Sequence, residues 1–235
     1  MANATTTSAG KERRSLLLAG TLGFILFLGL LAVVPQIGLM FRIHTVPAGS
    51  MLPTYKTKSY IVTNLAAYGY SRYSFDWVRL PISGRILAGA PARGDVVTFR
   101  IGDGRDEIIY FKRVVGLPGD KIQLVKGRLH INGVAVDREP RSDIMIDDFG
   151  RKKTAVRWQE TLPGGAAYDI VEMEGDRGPF DNTRVFEVPA GHIFVMGDNR
   201  DNSADSRIER AQGGIGFVPI ERISGKVIGT FDLND

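Results

Sequence analysis

The chain has 235 residues, of which 43% are apolar, and it contains no cysteine. This composition excludes a disulfide framework, thiolate catalysis and a cysteine-ligated zinc site, and it is too apolar for a disordered chain. The formal net charge of +4 is too small, and the basic residues are too scattered, to indicate nucleic-acid binding. We therefore expect no nucleic-acid partner.

The N-terminal part contains a long apolar run without charge. No charged residue occurs between Arg14 and Arg42, and Leu16 to Val34 reads LLLAGTLGFILFLGLLAVV. A helix of that length crosses the hydrocarbon layer of a bilayer, which is about 30 Å thick. A cleaved secretory signal is the alternative, but its apolar core is usually shorter, about 7–15 residues. We expect a tail over residues 1–14 and a retained transmembrane anchor over residues 15–36.

The charges that flank this run indicate its orientation. Lys11-Glu12-Arg13-Arg14 lies on its N-terminal side, and flanking basic residues stay on the cytoplasmic side of a membrane. We expect a single pass through the inner, cytoplasmic membrane with a cytoplasmic N-terminus. The part of the chain from about Arg42 onward would then lie on the outer, periplasmic side.

The remaining sequence is typical of short β-strands broken by glycine and proline. Five runs have strand-like length and β-branched content, at Asp95–Arg100, Ile108–Phe111, Lys121–Val125, Arg128–Ile131 and His192–Met196. Lys126-Gly127 and Asn132-Gly133 are typical of tight hairpin turns. Because no convincing amphipathic helix occurs, the sequence predicts a mainly β, antiparallel fold.

A segment from Tyr68 to Leu87 is rich in aromatic residues and arginines. A β-hairpin packed on the core is one interpretation. The other is an interfacial surface that holds the site against the bilayer, because amphipathic rings and arginines settle at headgroup depth. In that interpretation Tyr73, Phe75 and Trp77 contact lipid.

Two residues are candidates for nucleophilic catalysis. Ser50 lies in Pro47-Ala-Gly-Ser-Met-Leu-Pro-Thr54, shortly after the apolar run, and a serine hydroxyl needs a nearby base. Lys112 follows an apolar strand and could be that base if burial lowered its pKa from about 10.4. His44 lies six residues before Ser50 and keeps a Ser-His pair open.

The segment Gly197–Arg207 is dense in short polar side chains, which is typical of a loop that hydrogen-bonds itself. Asp201, Ser203 and Asp205 occupy the first, third and fifth places of an EF-hand-like calcium loop. The sixth and twelfth places, Ser206 and Gln212, do not fit that pattern. We therefore expect no metal and no cofactor.

Four segments together resemble the bacterial type I signal peptidases, a family of Ser-Lys peptidases. They are Ser50-Met-Leu-Pro-Thr54, Gly94-Asp-Val-Val-Thr-Phe99, Lys112-Arg-Val-Val-Gly-Leu-Pro-Gly-Asp120 and Gly197-Asp-Asn-Arg-Asp-Asn-Ser-Ala-Asp-Ser-Arg207. The resemblance implies an antiparallel β catalytic core over residues 41–120 and 190–235. It also implies a smaller inserted β domain over residues 121–189.

The resemblance also implies a role for each matching residue. Ser50 would attack the scissile carbonyl while neutral Lys112 takes its proton, and Ser203 would orient the Lys112 amine. Asp205 and Arg207 would brace their loop, and Asp198 and Arg113 would be structural. The Ser50 backbone N–H would hold the oxyanion.

One position departs from the pattern of the family. Some members carry a serine two residues before the nucleophile, where its hydroxyl completes the oxyanion hole, whereas this chain has Ala48. The second donor would then be another group, or the hole is weaker.

The implied substrates are secretory preproteins cut after small residues, at the surface of a lipid bilayer. An extended peptide could pair with the edges near Val46, Pro47 and Ile109-Tyr110-Phe111, and we include Met51 among the substrate-binding residues. Three rivals remain: a narrow pilin-maturation protease, a self-cleaving repressor, and a non-catalytic tethered β-domain that binds envelope partners. A repressor would need a DNA-binding domain instead of an anchor.

Overall fold

The computed structural model describes residues 38–75, 78–102, 107–148 and 151–233. The chain divides into two compact units, Met1–Phe41 and Arg42–Asp235, and only residues 38–41 of the first are described. The expected tail and anchor, residues 1–14 and 15–36, lie outside the described residues. Within the described ranges, no helix has the length and apolar character needed to span a bilayer.

The described residues consist mostly of β-strands joined by turns. In chain order the strands are β1 (Phe41–Thr45), β2 (Tyr60–Asn64), β3 (Tyr70–Ser71), β4 (Arg85–Ile86), β5 (Val96–Ile101), β6 (Ile108–Gly116), β7 (Lys121–Val125), β8 (Arg128–Ile131), β9 (Val134–Ala135), β10 (Asp137–Asp148), β11 (Arg151–Thr161), β12 (Ala167–Glu172), β13 (Phe186–Glu187), β14 (His192–Met196), β15 (Val218–Pro219) and β16 (Ile223–Phe231). Short 3-10 helices occur at Gly49–Met51, Arg210–Gln212 and Ile220–Arg222.

The strands form four sheets. The largest has seven strands in the order β1-β2-β16-β5-β6-β14-β15, and the others are β10-β11-β12, β13-β7-β8-β9 and β3-β4. Every described strand pair with a recorded register is antiparallel. The prediction of a mainly β, antiparallel fold is therefore confirmed.

The five predicted strands are also confirmed, within a few residues at their ends. Both predicted hairpin turns occur as well, because Lys126 and Gly127 have positive φ values of 50° and 72°, and Asn132 and Gly133 have φ values of 56° and 81°. Positive φ at two successive residues matches the right-handed twist of the flanking strands. The long β10–β11 hairpin is not among the predicted strands.

The sheet to which a strand belongs depends on the position of the strand in the sequence. The seven-stranded sheet takes all its strands from residues 41–116 and 192–231, whereas β7 to β13, all within residues 121–187, form the three-stranded and four-stranded sheets. One buried apolar cluster packs these sheets together. It joins Val115, Phe194 and Met196 of the large sheet to residues of the other two, among them Leu124, Leu129 and Ile170.

The aromatic segment from Tyr68 to Leu87 contains the short β3–β4 ladder. Tyr68 and Phe75 are buried, and the guanidinium groups of Arg72, Arg79 and Arg222 lie over the ring of Tyr73. These contacts agree with the interpretation as a hairpin packed on the core. Trp77 lies outside the described residues, so the lipid-facing interpretation is not tested there.

Candidate active site

Ser50 lies in the connection between β1 and β2, within the 3-10 turn Gly49–Met51. The apolar residues on either side of it, Val46 and Met51, have no exposed surface and belong to one core cluster with Phe111. This burial fixes the turn on both sides of Ser50. The Ser50 side chain itself is only partly buried and remains accessible from outside.

Lys112 lies in β6, where it pairs with Val97 of β5, and only 4% of its surface is exposed. Its Nζ donates a hydrogen bond to Ser50 Oγ at 2.7 Å and another to the Phe111 carbonyl at 3.2 Å. The structure thus brings together two residues that are 62 positions apart in the sequence.

The surroundings of Lys112 change its acidity. Burial lowers the pKa of Lys112 to about 8, although the negative charges of Asp205 and Asp198 act in the opposite direction. Burial has this effect because it disfavours the ammonium form more than the neutral amine. A group with this pKa is partly neutral near physiological pH, as a general base must be.

The loop Gly197–Arg207 packs directly against the Ser50 turn. Asn199 is fully buried, its side-chain amide donates to the Gly49 carbonyl at 3.1 Å, and its backbone N–H donates to the Ser50 carbonyl at 3.1 Å. Sequence reasoning did not single out Asn199. Only its position in the motif could have indicated it, because a buried amide that supports a neighbouring turn leaves no periodic pattern.

Ser203 lies in the same loop and is 7% exposed. Its Oγ has no hydrogen-bond partner among the described residues, so the expected bond to the Lys112 amine is not formed. Gly197 brings Ser203 and Ser50 close together, because a Cβ on Gly197 would lie less than 3.0 Å from both Ser203 Oγ and the Ser50 carbonyl oxygen. Sequence reasoning did not identify Gly197 either.

Two buried ion pairs support this loop. Arg207 donates two hydrogen bonds to the Asp205 carboxylate, at 2.9 and 3.0 Å, and Asp205 also accepts the Gly197 backbone N–H at 3.0 Å. Burial alone would raise the pKa of Asp205, but the charge and hydrogen bonds of Arg207 lower it below its ordinary value. Asp205 therefore stays a carboxylate near Lys112.

Arg113, the residue after Lys112, forms the second pair. It donates to both carboxylate oxygens of Asp198, at 2.8 and 2.6 Å, and to the Gly94 carbonyl at 2.8 Å. Asp198 also accepts the hydroxyl of Thr54 at 2.5 Å. These bonds connect β6, the Ser50 turn and the loop Gly197–Arg207.

The predicted substrate-binding residues lie in two segments, one between β1 and β2 and the other in β6. Pro47 is exposed, Met51 is buried, and both backbone groups of Val46 are hydrogen-bonded, the N–H to Ser59 and the carbonyl to Lys58, each at 2.8 Å. Ile109, Tyr110 and Phe111 pair with β5 on one side. Among the described strands none pairs with these three residues on the other side, because β14 contacts β6 only from Arg113 onward.

The alternative sites are not assembled in the described part of the chain. Among the hydrogen bonds of the described residues, none joins His44 to Ser50, and burial together with Arg100 and Arg42 lowers the pKa of His44 to about 4. Asp205 is bound to Arg207, whereas Asp201 accepts the backbone N–H groups of Met173 and Glu174. The EF-hand-like residues therefore do not converge on one point.

The comparisons with known proteins agree on one family. The family model for signal peptidases, peptidase S26, matches residues 18–231. Signal peptidase I of Rickettsia canadensis (strain McKiel) is 40% identical over 210 residues, covering 83% of this chain and 75% of that protein. Signal peptidase I of Rickettsia typhi (strain ATCC VR-144 / Wilmington) is 40% identical over 198 residues, covering 80% and 70%.

A crystal structure of a signal peptidase I from Enterococcus faecalis V583 covers 60% of this chain and 98% of its own, at 23% identity and a TM-score of 0.34. The family model spans all four segments that carry the resemblance, and the relatives cover most of the sequence. The chain therefore belongs to the signal peptidases of peptidase family S26 and is an enzyme of the signal peptidase I type.

Proposed function

We propose that this chain is a membrane-anchored serine endopeptidase that removes N-terminal signal peptides from secreted preproteins, with a Ser50–Lys112 dyad. The observation that carries the proposal is the 2.7 Å separation between Lys112 Nζ and Ser50 Oγ, with the amine almost completely shielded from water. Membership of the family supplies the substrate class, and the geometry supports the assignment of roles.

The first half of the reaction acylates the enzyme. The neutral Lys112 amine accepts the Ser50 proton while Oγ attacks the carbonyl carbon of the residue before the cut. The resulting ammonium then gives that proton to the leaving amine of the mature protein. The signal peptide remains bound to Ser50 as an ester.

The second half releases the signal peptide. Lys112 Nζ takes a proton from a water molecule, and the hydroxide attacks the ester carbon. The ester bond breaks, and the proton on Nζ returns to Ser50 Oγ. Ser203 is a positioning residue in this scheme, because a buried hydroxyl near the Ser50 turn can hold the amine in place once Ser50 Oγ carries the acyl group.

Asp205, Arg207 and Asp198 act through the loop and the strand that they hold. The Asp205–Arg207 pair fixes the loop Gly197–Arg207, which carries Ser203. The Asp198–Arg113 pair holds this loop against β6, which carries Lys112. The nearby carboxylates also keep the pKa of Lys112 from falling further. The Ser50 backbone N–H supplies one donor for the oxyanion, and Ala48 supplies no side-chain donor.

The substrate binds as an added strand along Ile109, Tyr110 and Phe111. The open side of this segment offers backbone hydrogen bonds to an extended peptide, and alternate side chains of that peptide would then point toward the protein. Pro47 and Met51 border the same region through the Ser50 turn. Val46 is also a proposed substrate-binding residue. Its backbone N–H and carbonyl are already bonded to Ser59 and Lys58, so a peptide would have to replace these bonds to pair with it.

The membrane arrangement follows from the N-terminal sequence. The run Leu16–Val34 anchors the chain in the inner membrane with residues 1–14 in the cytoplasm, and the catalytic core lies on the periplasmic side. The core consists of residues 41–120 and 190–235, and residues 121–189 form the inserted β domain. Preproteins in transit through the bilayer then meet Ser50 at the membrane surface.

Cleavage of a purified preprotein by the full chain in detergent tests the dyad. We expect Ser50→Ala and Lys112→Ala each to lower kcat by ~10⁴-fold or more, because the nucleophile and its base act as a unit. Lys121→Ala, which removes an exposed lysine from β7, is the matched control and should cut normally. Normal cleavage by both dyad variants would contradict the mechanism.

The range of substrates distinguishes a general signal peptidase from a protease that cuts a single kind of precursor. A panel of unrelated preproteins with small residues at the first and third positions before the cut should all be processed. Cleavage of a single pilin-like precursor and of no other member of the panel would favour the narrow protease instead.

A further inference from the structure

Three carboxylates outside the Ser50–Lys112 site meet at one point. Glu172 is the last residue of β12, Asp181 lies in the segment between β12 and β13, and Asp201 lies in the loop Gly197–Arg207. Each offers one oxygen, and these oxygens all lie within 4.8 Å of one another. Like charges at this separation repel strongly unless a cation or a proton lies between them.

Glu172 is the unusual member of this acidic cluster. It has no exposed surface, and neither of its carboxylate oxygens has a hydrogen-bond partner among the described residues. Burial raises the pKa of Glu172 to about 8, against the charge of Arg200 and with the help of Asp201 and Asp181. A buried carboxylate without any partner is costly and needs a physical explanation.

The nearby arginines do not provide that partner. Arg200 donates to both oxygens of Glu160, and Arg138 donates to both oxygens of Asp176. Arg207, which acts on Asp181, is bound to Asp205. Each of these guanidinium groups therefore already neutralises another carboxylate.

Backbone groups orient the other two carboxylates. Asp201 Oδ2 accepts the N–H groups of Met173 and Glu174 at 2.7 and 2.8 Å, and Asp181 Oδ2 accepts that of Gly178 at 2.5 Å. One oxygen of each side chain is left for another ligand. A Cβ on Gly178 would lie less than 3.0 Å from Asp201 Oδ1, so the glycine keeps space open beside this oxygen.

We propose that Glu172, Asp181 and Asp201 bind a divalent cation, Ca²⁺, that ties the end of β12 to the loop that carries Ser203. The donor atoms are all oxygens, which hard cations prefer. Ligands at the 2.3–2.6 Å typical of Ca²⁺ lie up to about 5 Å apart across the shell, which accommodates the observed spread, whereas the shell of Mg²⁺ is smaller.

This site differs from the EF-hand-like pattern in the sequence and from the expectation that no metal binds. Of the residues in that pattern only Asp201 takes part, with Glu172 and Asp181 in place of Ser203 and Asp205. Because Asp201 precedes Ser203 by two residues, a bound cation would stabilise the loop beside the dyad without touching substrate.

Calorimetric titration and thermal unfolding of the full chain in detergent test the site, after treatment with a chelator and desalting. We expect saturable binding of one Ca²⁺ and a rise in Tm of about 5–10 °C at 100 times Kd. MgCl₂ should give a smaller rise. Glu172→Gln should abolish the Ca²⁺-dependent rise, whereas Glu174→Gln, the same change at an exposed neighbour, should retain it.

The Tm measured in chelator distinguishes a variant that has lost a cation-binding side chain from a variant whose fold is destabilised. Glu172→Gln should then unfold no earlier than the wild type, because the buried carboxyl group that it replaces has no hydrogen-bond partner to lose among the described residues. If that variant does not fold, Asp181→Asn replaces it, with the same loss of the Ca²⁺ response expected. Absence of heat and of a Tm shift up to about 10 mM CaCl₂ would overturn the proposal, since even weak protein sites bind near 10⁻³ M.

Two further results would also count against it. An unchanged Ca²⁺ response in Glu172→Gln would show that this cluster of carboxylates does not bind the cation. An equal response to MgCl₂ would overturn the choice of Ca²⁺. Neither result depends on cleavage of a preprotein, so both are independent of the proposed peptidase activity.

Discussion

Lys112 differs from the exposed lysines of the chain in its environment alone. With a pKa of about 8, roughly one amine in ten is neutral at pH 7, against roughly one in three thousand at the ordinary value of 10.5. Burial therefore provides the neutral amine that the proposed role of Lys112 as a base requires. The same burial disfavours the charged form, so it has a cost in stability.

The dependence of this stability cost on pH gives a prediction. The pKa of Lys112 in the folded state, about 8, lies below the unfolded value of 10.5, so the unfolded chain binds more protons between these two pH values. The penalty, about 3 kcal/mol, is present in full below pH 8 and disappears as pH rises toward 10.5. We expect Lys112→Met to be inactive and more stable than the wild type at pH 6.5, by about 6–12 °C in Tm.

Thermal unfolding as a function of pH checks this expectation. The advantage of Lys112→Met should shrink as pH rises from 8 to 10.5, because the folded lysine is already neutral in that range and the unfolded lysine approaches neutrality at its upper end. A variant with a Tm at or below the wild-type value at pH 6.5 would contradict the buried, destabilised amine. Lys121→Met, at an exposed position, should show no such pH-dependent difference.

Ala48 permits a second test at the level of one side chain. Its backbone is extended, with φ −145° and ψ 159°, and its side chain is exposed, so a serine fits there without strain. We expect Ala48→Ser to remain active and to raise kcat by up to ~10²-fold, because the added hydroxyl can donate to the oxyanion. Single-turnover cleavage measures the effect. Complete loss of turnover would refute this account of the oxyanion hole.

Individual residues were only partly predictable from the sequence. The motif around Ser50 and the strand before Lys112 indicated both candidates, but neither pattern contains the burial that lowers the pKa of the amine. That burial depends on packing against segments up to about 90 residues away, such as the loop that carries Asp198 and Asp205. The resemblance to a family, and not periodicity, placed these residues in one site.

At the scale of elements, the loop Gly197–Arg207 is the part that completes the site. It contacts the Ser50 turn through Asn199, and its own shape depends on the Asp205–Arg207 pair and on Arg200, which donates to the Gly197 carbonyl at 3.1 Å. Each net hydrogen bond of this kind contributes ~1 kcal/mol, and a buried partner left unpaired costs more. The loop is therefore held in one conformation by several independent contacts.

Gly197→Ala tests the close approach of this loop to the Ser50 turn. The added Cβ would collide with the Ser50 carbonyl, a backbone atom that cannot rotate away, and with Ser203 Oγ. We expect kcat to fall by about 10²-fold or more, because small displacements at a catalytic centre have large effects. Gly229→Ala is the matched control, since a Cβ there meets no atom within 4 Å. Preprotein cleavage at equal activity in both variants would contradict the close packing.

Strands with regular alternation were predicted from sequence, whereas the long β10–β11 hairpin was not. Its strands, Asp137–Asp148 and Arg151–Thr161, carry many charged residues and a register shift between Arg141 and Ile144. Its apolar residues Ile146 and Ala155 are buried in one cluster with Leu52 and Val171, and cross-strand pairs such as Asp147 with Lys152 add to its stability. Pro140 is tolerated because β10 is an edge strand.

For the whole molecule, the inserted domain over residues 121–189 stays a prediction, and Arg42–Asp235 form one compact unit. Among the described strands, β7 to β13 form ladders only with one another, although Val171 of β12 makes a single bridge to Asn199, and one apolar cluster packs them onto the seven-stranded sheet. A long excursion of the chain can fold onto the core in this way because loop closure costs little more for long loops than for short ones. The sequence does not predict that packing, since the cluster joins residues that are far apart in the chain.

The proposed role of Lys112 rests on the acidity of its side-chain amine. Titration of the Lys112 Nζ resonance in ¹⁵N-lysine-labelled protein, assigned with Lys112→Met, measures it without reference to any substrate. We predict a midpoint near the pKa of about 8 that burial imposes. A midpoint at the ordinary lysine value of 10.5 would contradict the role of Lys112 as the base for Ser50.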